Sequence, residues 1–129
     1  MVDKFGIKTS VYFTGALRGN ALVEALNSHK YLIVPSVWKE PFGNVALEGL
    51  ACGCLPIVAN GGGLPDAVGD AGMVFERASL DSLVHTLKNL LQDPQLEASI
   101  RANAEEHLKN HDPEVVASKY LNVIHQALN

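Results

Sequence analysis

The sequence predicts an α/β fold, an open parallel sheet wound on both faces by helices. Two apolar runs without polar alternation, residues 31–35 (YLIVP) and 55–60 (LPIVAN), read as strands covered on both sides. Between them Val45, Ala46, Leu47, Leu50 and Ala51 recur at helical spacing, and Gly53 supplies the stop, so a helix is expected over residues 44–52. Strand, helix and strand in this order form a β-α-β unit. At 129 residues with 47% hydrophobic content, the chain has the material for one core and one domain.

The loop that opens this helix is the most informative stretch. Residues 36–53 (SVWKEPFGNVALEGLACG) set two carboxylates, Glu40 and Glu48, on either side of a Phe-Gly turn. A helix mouth preceded by glycine offers free backbone N–H groups to an anion. Glu48 lies one turn inside the helix on the face of Asn44, and helical side chains lean toward the N-terminus, so its carboxylate is carried toward the mouth. An ionised carboxylate only accepts, which suits it to a sugar diol. Glu48 also has no Lys or Arg at helical spacing to form an ordinary surface pair; its neighbours there are Asn44, Val45, Ala51 and Cys52. Trp38 and Phe42 are expected to anchor the loop by packing rather than to stack on a base. Residues 61–63 (GGG) follow the second strand, so both loops should meet beyond the carboxyl ends of the strands. The triple glycine reads equally as a close-approach surface for a ligand or as a flexible turn.

The remaining chain reads as scaffold. Asp66 is expected in the first turn of a helix. Ser79 caps another with Leu80, Leu83, Val84, Leu87, Leu90 and Leu91 on one face, and Asp93-Pro94 ends it. Leu96, Ile100, Ala104 and Leu108 form a thinner stripe. After Asp112-Pro113 a last helix should turn Val116, Tyr120, Ile124 and Leu128 inward. The division is therefore residues 1–75 for sheet core and site, and 76–129 for helical scaffold, within a single partial domain.

Composition narrows the partners. A formal charge of −4 with scattered Lys and Arg gives no basic stripe, which disfavours nucleic acid. The acidic helix around Glu97 to Glu106 disfavours a membrane surface, and no span or signal peptide is visible, so a cytoplasmic protein is expected. Cys52 and Cys54 stand too close for a relaxed disulfide and read as small packing residues of a reducing compartment. No metal site is evident: His107 and His111 lack the HExxH pattern and read as solvated. An unrelated doubly wound enzyme is disfavoured, because no GxGxxG or GxxxxGK[ST] loop occurs.

The runs VYFTGAL and YLIVPSVWKEPFGNVALEGLACGCLPIVANGGGLPDAVGDAGMVF resemble the nucleotide-sugar-binding C-terminal domain of retaining GT-B glycosyltransferases, with a partial Rossmann-like sheet and extra C-terminal helices. The resemblance is close over residues 11–75 and looser over the terminal helices. It implies that Glu48 binds the ribose diol of a nucleoside diphosphate sugar and that Glu40, the catalytic candidate, contacts hydroxyls of the transferred sugar. Gly43, Asn44 and Val45 would donate amides to the diphosphate, and Phe42 with Gly43 would shape the sugar pocket. The turn from Gly15 to Leu17 would meet the nucleobase through main-chain atoms. Asp66 stands where many relatives have Glu.

The same resemblance implies no cofactor beyond the donor sugar, and a carbohydrate or lipid-linked acceptor held by an N-terminal domain that this chain lacks. The family's basic Arg and Lys pair has no counterpart; Arg18 and Lys39 are the nearest cations. In the family's 3-2-1-4-5-6 order, a strand at residues 11–14 would be separated from the strand at 31–35 by two absent strands. The bare edge predicts a homodimer or association with the missing half. The expected function is the donor-binding portion of a hexosyltransferase, inactive by itself; the alternative is a non-catalytic nucleotide-sugar binding or assembly module.

Overall fold

The computed structural model describes residues 1–128. Its elements run α1 (Asn20–Asn27), β1 (Tyr31–Val34), α2 (Asn44–Ala51), β2 (Leu55–Ala59), α3 (Leu64–Val68), β3 (Met73–Phe75), α4 (Leu80–Gln92), α5 (Pro94–Ala102), α6 (Ala104–Lys109) and α7 (Pro113–Leu128). The three strands form one parallel sheet in the order β1-β2-β3, with Ile33 opposite Ile57 and Ile57 opposite Met73.

All five residues of β2 are buried, as its unbroken apolar run requires. Alternate side chains feed two cores. On one face Val34 and Val58 pack with Ala46 of α2 and with Leu64, Ala67 and Val68 of α3. On the other, Leu55, Ile57, Ala59 and Phe75 pack with Leu90 of α4 and Ile100 of α5. The result is a three-layer sandwich with helices on both faces. Leu55, Ile57, Leu64, Val58, Val68 and Leu90 are each at most 1% exposed, and burial of a side chain of this size stabilises by about 1.5–3 kcal/mol.

The ends of the helices follow their sequence signals. The Ser79 hydroxyl accepts from the Ser82 amide at 3.2 Å, and Asp93 Oδ1 accepts from Gln95 and Leu96 at 3.0 and 2.9 Å. Gly53, with φ of 87°, turns the chain out of α2 one residue after its Cys52 cap. Asp66 stands in the first turn of α3.

Five expectations are corrected. Residues 11–14 form no strand, and Tyr12 and Phe13 are 84% and 86% exposed. A strand there needs a neighbour to receive its backbone hydrogen bonds, and none of the described residues supplies one. For the same reason β1 is an edge strand, bonded only to β2, and its coverage is incomplete, with Ile33 40% exposed. The stripe from Leu96 to Leu108 is broken at Asn103 into α5 and α6. Finally α7 buries no residue: of its four expected inward side chains only Val116 is half-buried, while Tyr120, Ile124 and Leu128 are exposed, because no other element lies over them. On α4 likewise Leu80, Val84 and Leu91 face outward, and Leu83, Leu87 and Leu90 carry the packing.

The amino-terminal ends of β1 and β2 are tied to α5 by a polar cluster. Glu97 accepts from Lys30 Nζ, Tyr31 Oη and Arg101 Nε, each at 2.8 Å. Arg101 also donates to the carbonyls of Gly53 and Lys30 at 2.9 Å. Lys30, then Arg101, hold the Glu97 carboxyl at about 2, well below its ordinary 4.5. Nearby, the buried Cys54 thiol donates to the Leu26 carbonyl at 3.1 Å, and its burial pushes its pKa up. Cys52 and Cys54 are both free thiols. Among the described residues no helix is long and apolar enough to cross a membrane.

Candidate functional site

The opposite pole, at the carboxyl ends of the strands, is made by two loops whose backbones touch. The Gly63 amide donates to the Glu40 carbonyl at 2.8 Å. A Cβ on Gly62, whose φ is 60°, would collide with that same carbonyl, and one on Gly63 would lie 2.6 Å from Phe42 Cα and from the Pro41 oxygen. Neither a ligand surface nor a flexible turn describes the triple glycine here: the backbone that approaches it is the chain's own. No side chain larger than hydrogen fits at either position.

This clamp fixes the entry to α2. Gly43 has φ of 97°, a left-handed conformation, and is buried against Leu64. No side chain caps the helix, and the first backbone N–H bonded in its opening turn is that of Ala46, to the Gly43 carbonyl at 2.9 Å. The orphan donors of a helix N-terminus therefore stand at Asn44 and Val45, both exposed.

The two carboxylates differ in surroundings. Glu40 is half-buried, and its Oε1 accepts from the Ser36 hydroxyl at 3.0 Å, so a residue four earlier in the loop orients it. Glu48 is exposed on α2, one turn in from the mouth. Each remains acceptor-only when ionised. Gly15, with φ of 68°, and half-buried Leu17 lie in the segment that forms no strand. No hydrogen bond among the described residues joins them to the residues around the α2 mouth.

Two sequence readings of aromatic and imidazole side chains are corrected. Trp38 and Phe42 are 59% and 38% exposed, so neither is a buried anchor. Phe42 instead meets His111, ring centroids 5.8 Å apart at 44°. His107 and His111 are half-buried rather than solvated. His107 Nε2 lies 2.8 Å from the Ala67 carbonyl, and its ring fills the space a Cβ on Gly69 would need. His111 Nδ1 lies 2.8 Å from the His107 carbonyl, and the two rings are 4.6 Å apart. Carbonyl oxygens only accept, so the proton sits on Nε2 of His107 and on Nδ1 of His111. The i, i+4 spacing was the only trace of this contact in the sequence; its partners Ala67 and Phe42 are forty and sixty-nine residues away. Among the described residues no group of three or more His, Cys, Asp or Glu is arranged to hold a metal ion.

A sheet covered on both faces, with glycine-clamped loops and an uncapped helix at the carboxyl ends of its strands, defines the class of open α/β domains that place their ligand crevice at that end. The chain belongs to the family described as glycosyl transferases group 1, whose model matches residues 1–107. It is 32% identical over 112 residues to the D-inositol 3-phosphate glycosyltransferase of Rhodococcus jostii, an alignment covering 85% of this chain and 25% of that protein. Sucrose-phosphate synthase from Thermosynechococcus elongatus shares the fold with a TM-score of 0.78 at 25% identity, over 98% of this chain and 32% of its own. The structure of Anabaena HepE in complex with UDP-glucose matches with a TM-score of 0.77 at 22% identity, over 99% of this chain and 35% of its own. The chain thus spans about a quarter of the length of such a sequence relative.

Proposed function

We propose that this chain is the donor-binding portion of a glycosyltransferase that moves a hexosyl unit from a nucleoside diphosphate sugar to a carbohydrate or lipid-linked acceptor, with retention at the anomeric carbon. The observation that carries this reading is the uncapped mouth of α2 behind left-handed Gly43, held open beside Glu40 by the glycine clamp. Amides of Gly43, Asn44 and Val45 take the diphosphate, Glu48 the ribose diol, and Glu40 the hydroxyls of the transferred sugar. Phe42 bounds the sugar pocket, and the Gly15 to Leu17 turn meets the base. The UDP-glucose held by HepE is the kind of donor this arrangement suits.

In the reaction the bond between the anomeric carbon and the diphosphate oxygen breaks with its electron pair going to the phosphate. The acceptor hydroxyl oxygen forms the new bond to the anomeric carbon on the same face, and its proton passes to the departing diphosphate oxygen. Negative charge grows on the leaving group, so fixed N–H dipoles aimed at it act most strongly as the bond breaks. A carboxylate at Glu40 favours the positive charge that develops on the sugar ring. No residue of the described elements is assigned to the acceptor or to a cation facing the diphosphate.

Calorimetry with UDP and UDP-glucose tests the reading. Glu48→Ala should weaken binding by about tenfold or more, the usual worth of hydrogen bonds to a charged group. Unchanged affinity removes Glu48 from the site. A chain that binds UDP-glucose but transfers no sugar when the rest of a transferase is supplied would be a binding module instead.

A further inference from the structure

We propose that His111 is a positioning residue for the donor loop: its ring fixes Phe42, and through it the backbone of Glu40 and the mouth of α2. His111 lies past residue 107, where the family match ends, and no sugar-binding role falls to it. It stands in the short link between α6 and α7. The inference rests on the proposed donor site for its functional meaning, and on contacts alone for its structural part.

The contacts form a chain from the core outward. Ala67 is fully buried in α3, and its carbonyl receives the His107 Nε2 proton. Gly69 lets the His107 ring lie against the backbone, where a Cβ would come within 2.8 Å of the ring carbon Cε1. His107 then presents its own carbonyl to His111 Nδ1–H, which sets the second ring in one orientation. That ring meets Phe42 between Pro41 and Gly43. Phe42 is 38% exposed and sits beside the left-handed Gly43, so the loop has few other restraints at this point. From the other side the Gly62 and Gly63 backbone lies against residues 40–42, Leu64 lies against Gly43, and the Ser36 hydroxyl holds the Glu40 side chain. The loop is therefore gripped between a glycine backbone and an imidazole, and the imidazole is the adjustable member. With Nδ1 committed to a carbonyl, His111 Nε2 is left as an acceptor facing away from that bond.

Amide hydrogen exchange of Gly63, whose N–H is bonded to the Glu40 carbonyl, reads loop order without any ligand. In His111→Ala, Gly63 exchange should accelerate by about 3- to 10-fold, the worth of one aromatic contact, while Val58 in β2 keeps its wild-type rate. His111→Phe keeps a ring but loses the bond to the His107 carbonyl, and should return the Gly63 rate only part of the way to wild type. Should His111→Ala fail to fold, His111→Gln keeps an N–H for the His107 carbonyl, removes the ring, and should accelerate Gly63 in the same way. An unchanged Gly63 rate in the Ala or Gln variant, or no rescue by Phe, overturns the proposal. UDP affinity should weaken in parallel with Gly63 exchange. If wild-type protein does not bind UDP, the donor reading fails while the exchange comparison still decides the positioning role.

Discussion

Glycine 62 shows how much of the candidate site depends on single atoms. Its φ of 60° disfavours any side chain, and an added methyl group would occupy the place of the Glu40 carbonyl. Gly62→Ala should destabilise the protein by about 2 kcal/mol or more and break the Gly63 to Glu40 hydrogen bond. Chemical denaturation followed by the fluorescence of Trp38, the single tryptophan, measures both the loss and the disturbed loop. Gly63→Ala strikes the same backbone from the next position. The start of α2 at Asn44, directly behind Gly43, was legible in the sequence, because helical spacing and a preceding glycine are local signals. The reason for Gly62 was not, since the carbonyl it accommodates is twenty-two residues away. His111 was misread for a related cause: an imidazole that bonds a distant carbonyl has the same spelling as one in water.

Elements were read best where burial alone decides them. β2 is apolar throughout and lies wholly inside, and α2 ends one residue from its expected limit. The helix capped by Ser79 was also legible, whereas the face of α4 that packs was drawn too wide, because spacing says which residues share a face and not how much of it a three-stranded sheet can cover. α5 carries a further consequence in Glu97. Its side chain is 12% exposed and receives Lys30, Tyr31 and Arg101, so its carboxyl is depressed from 4.5 to about 2. A depressed carboxyl adds stability that is complete above its unfolded value and is lost as pH falls toward the folded one. Acid titration of wild type should show a loss of thermal stability between about pH 4.5 and 2 that Glu97→Gln lacks. The variant should also be less stable at neutral pH, where Lys30 and Arg101 lose their counter-charge.

At the scale of the whole molecule, the three-layer sandwich is closed on one side and open on the other. β1 bonds only to β2, Ile33 is 40% exposed, and α7 buries none of its residues. Edge strands and uncovered apolar helices recruit partners, and a second copy of the chain is the expected one at high concentration. Light scattering should report a dimer, and Ile33→Lys, a charge on a strand edge already in contact with solvent, should shift it toward monomer without unfolding the core. A monodisperse wild-type monomer at high concentration would exclude that assembly. The sequence anticipated the bare edge but assumed that residues 11–14 would remain a strand and that α7 would fold inward. Both errors come from reading apolar content as burial, when burial also needs a surface to lie against.

The Glu97 cluster and the glycine clamp sit at opposite ends of β2, five residues and about 15 Å apart. Changes so far apart with no shared partner act independently. Anchorage and the open helix mouth are thus housed at separate poles, and the lip around Asn44 and Val45 can be substituted while the keel at Arg101 stays as it is.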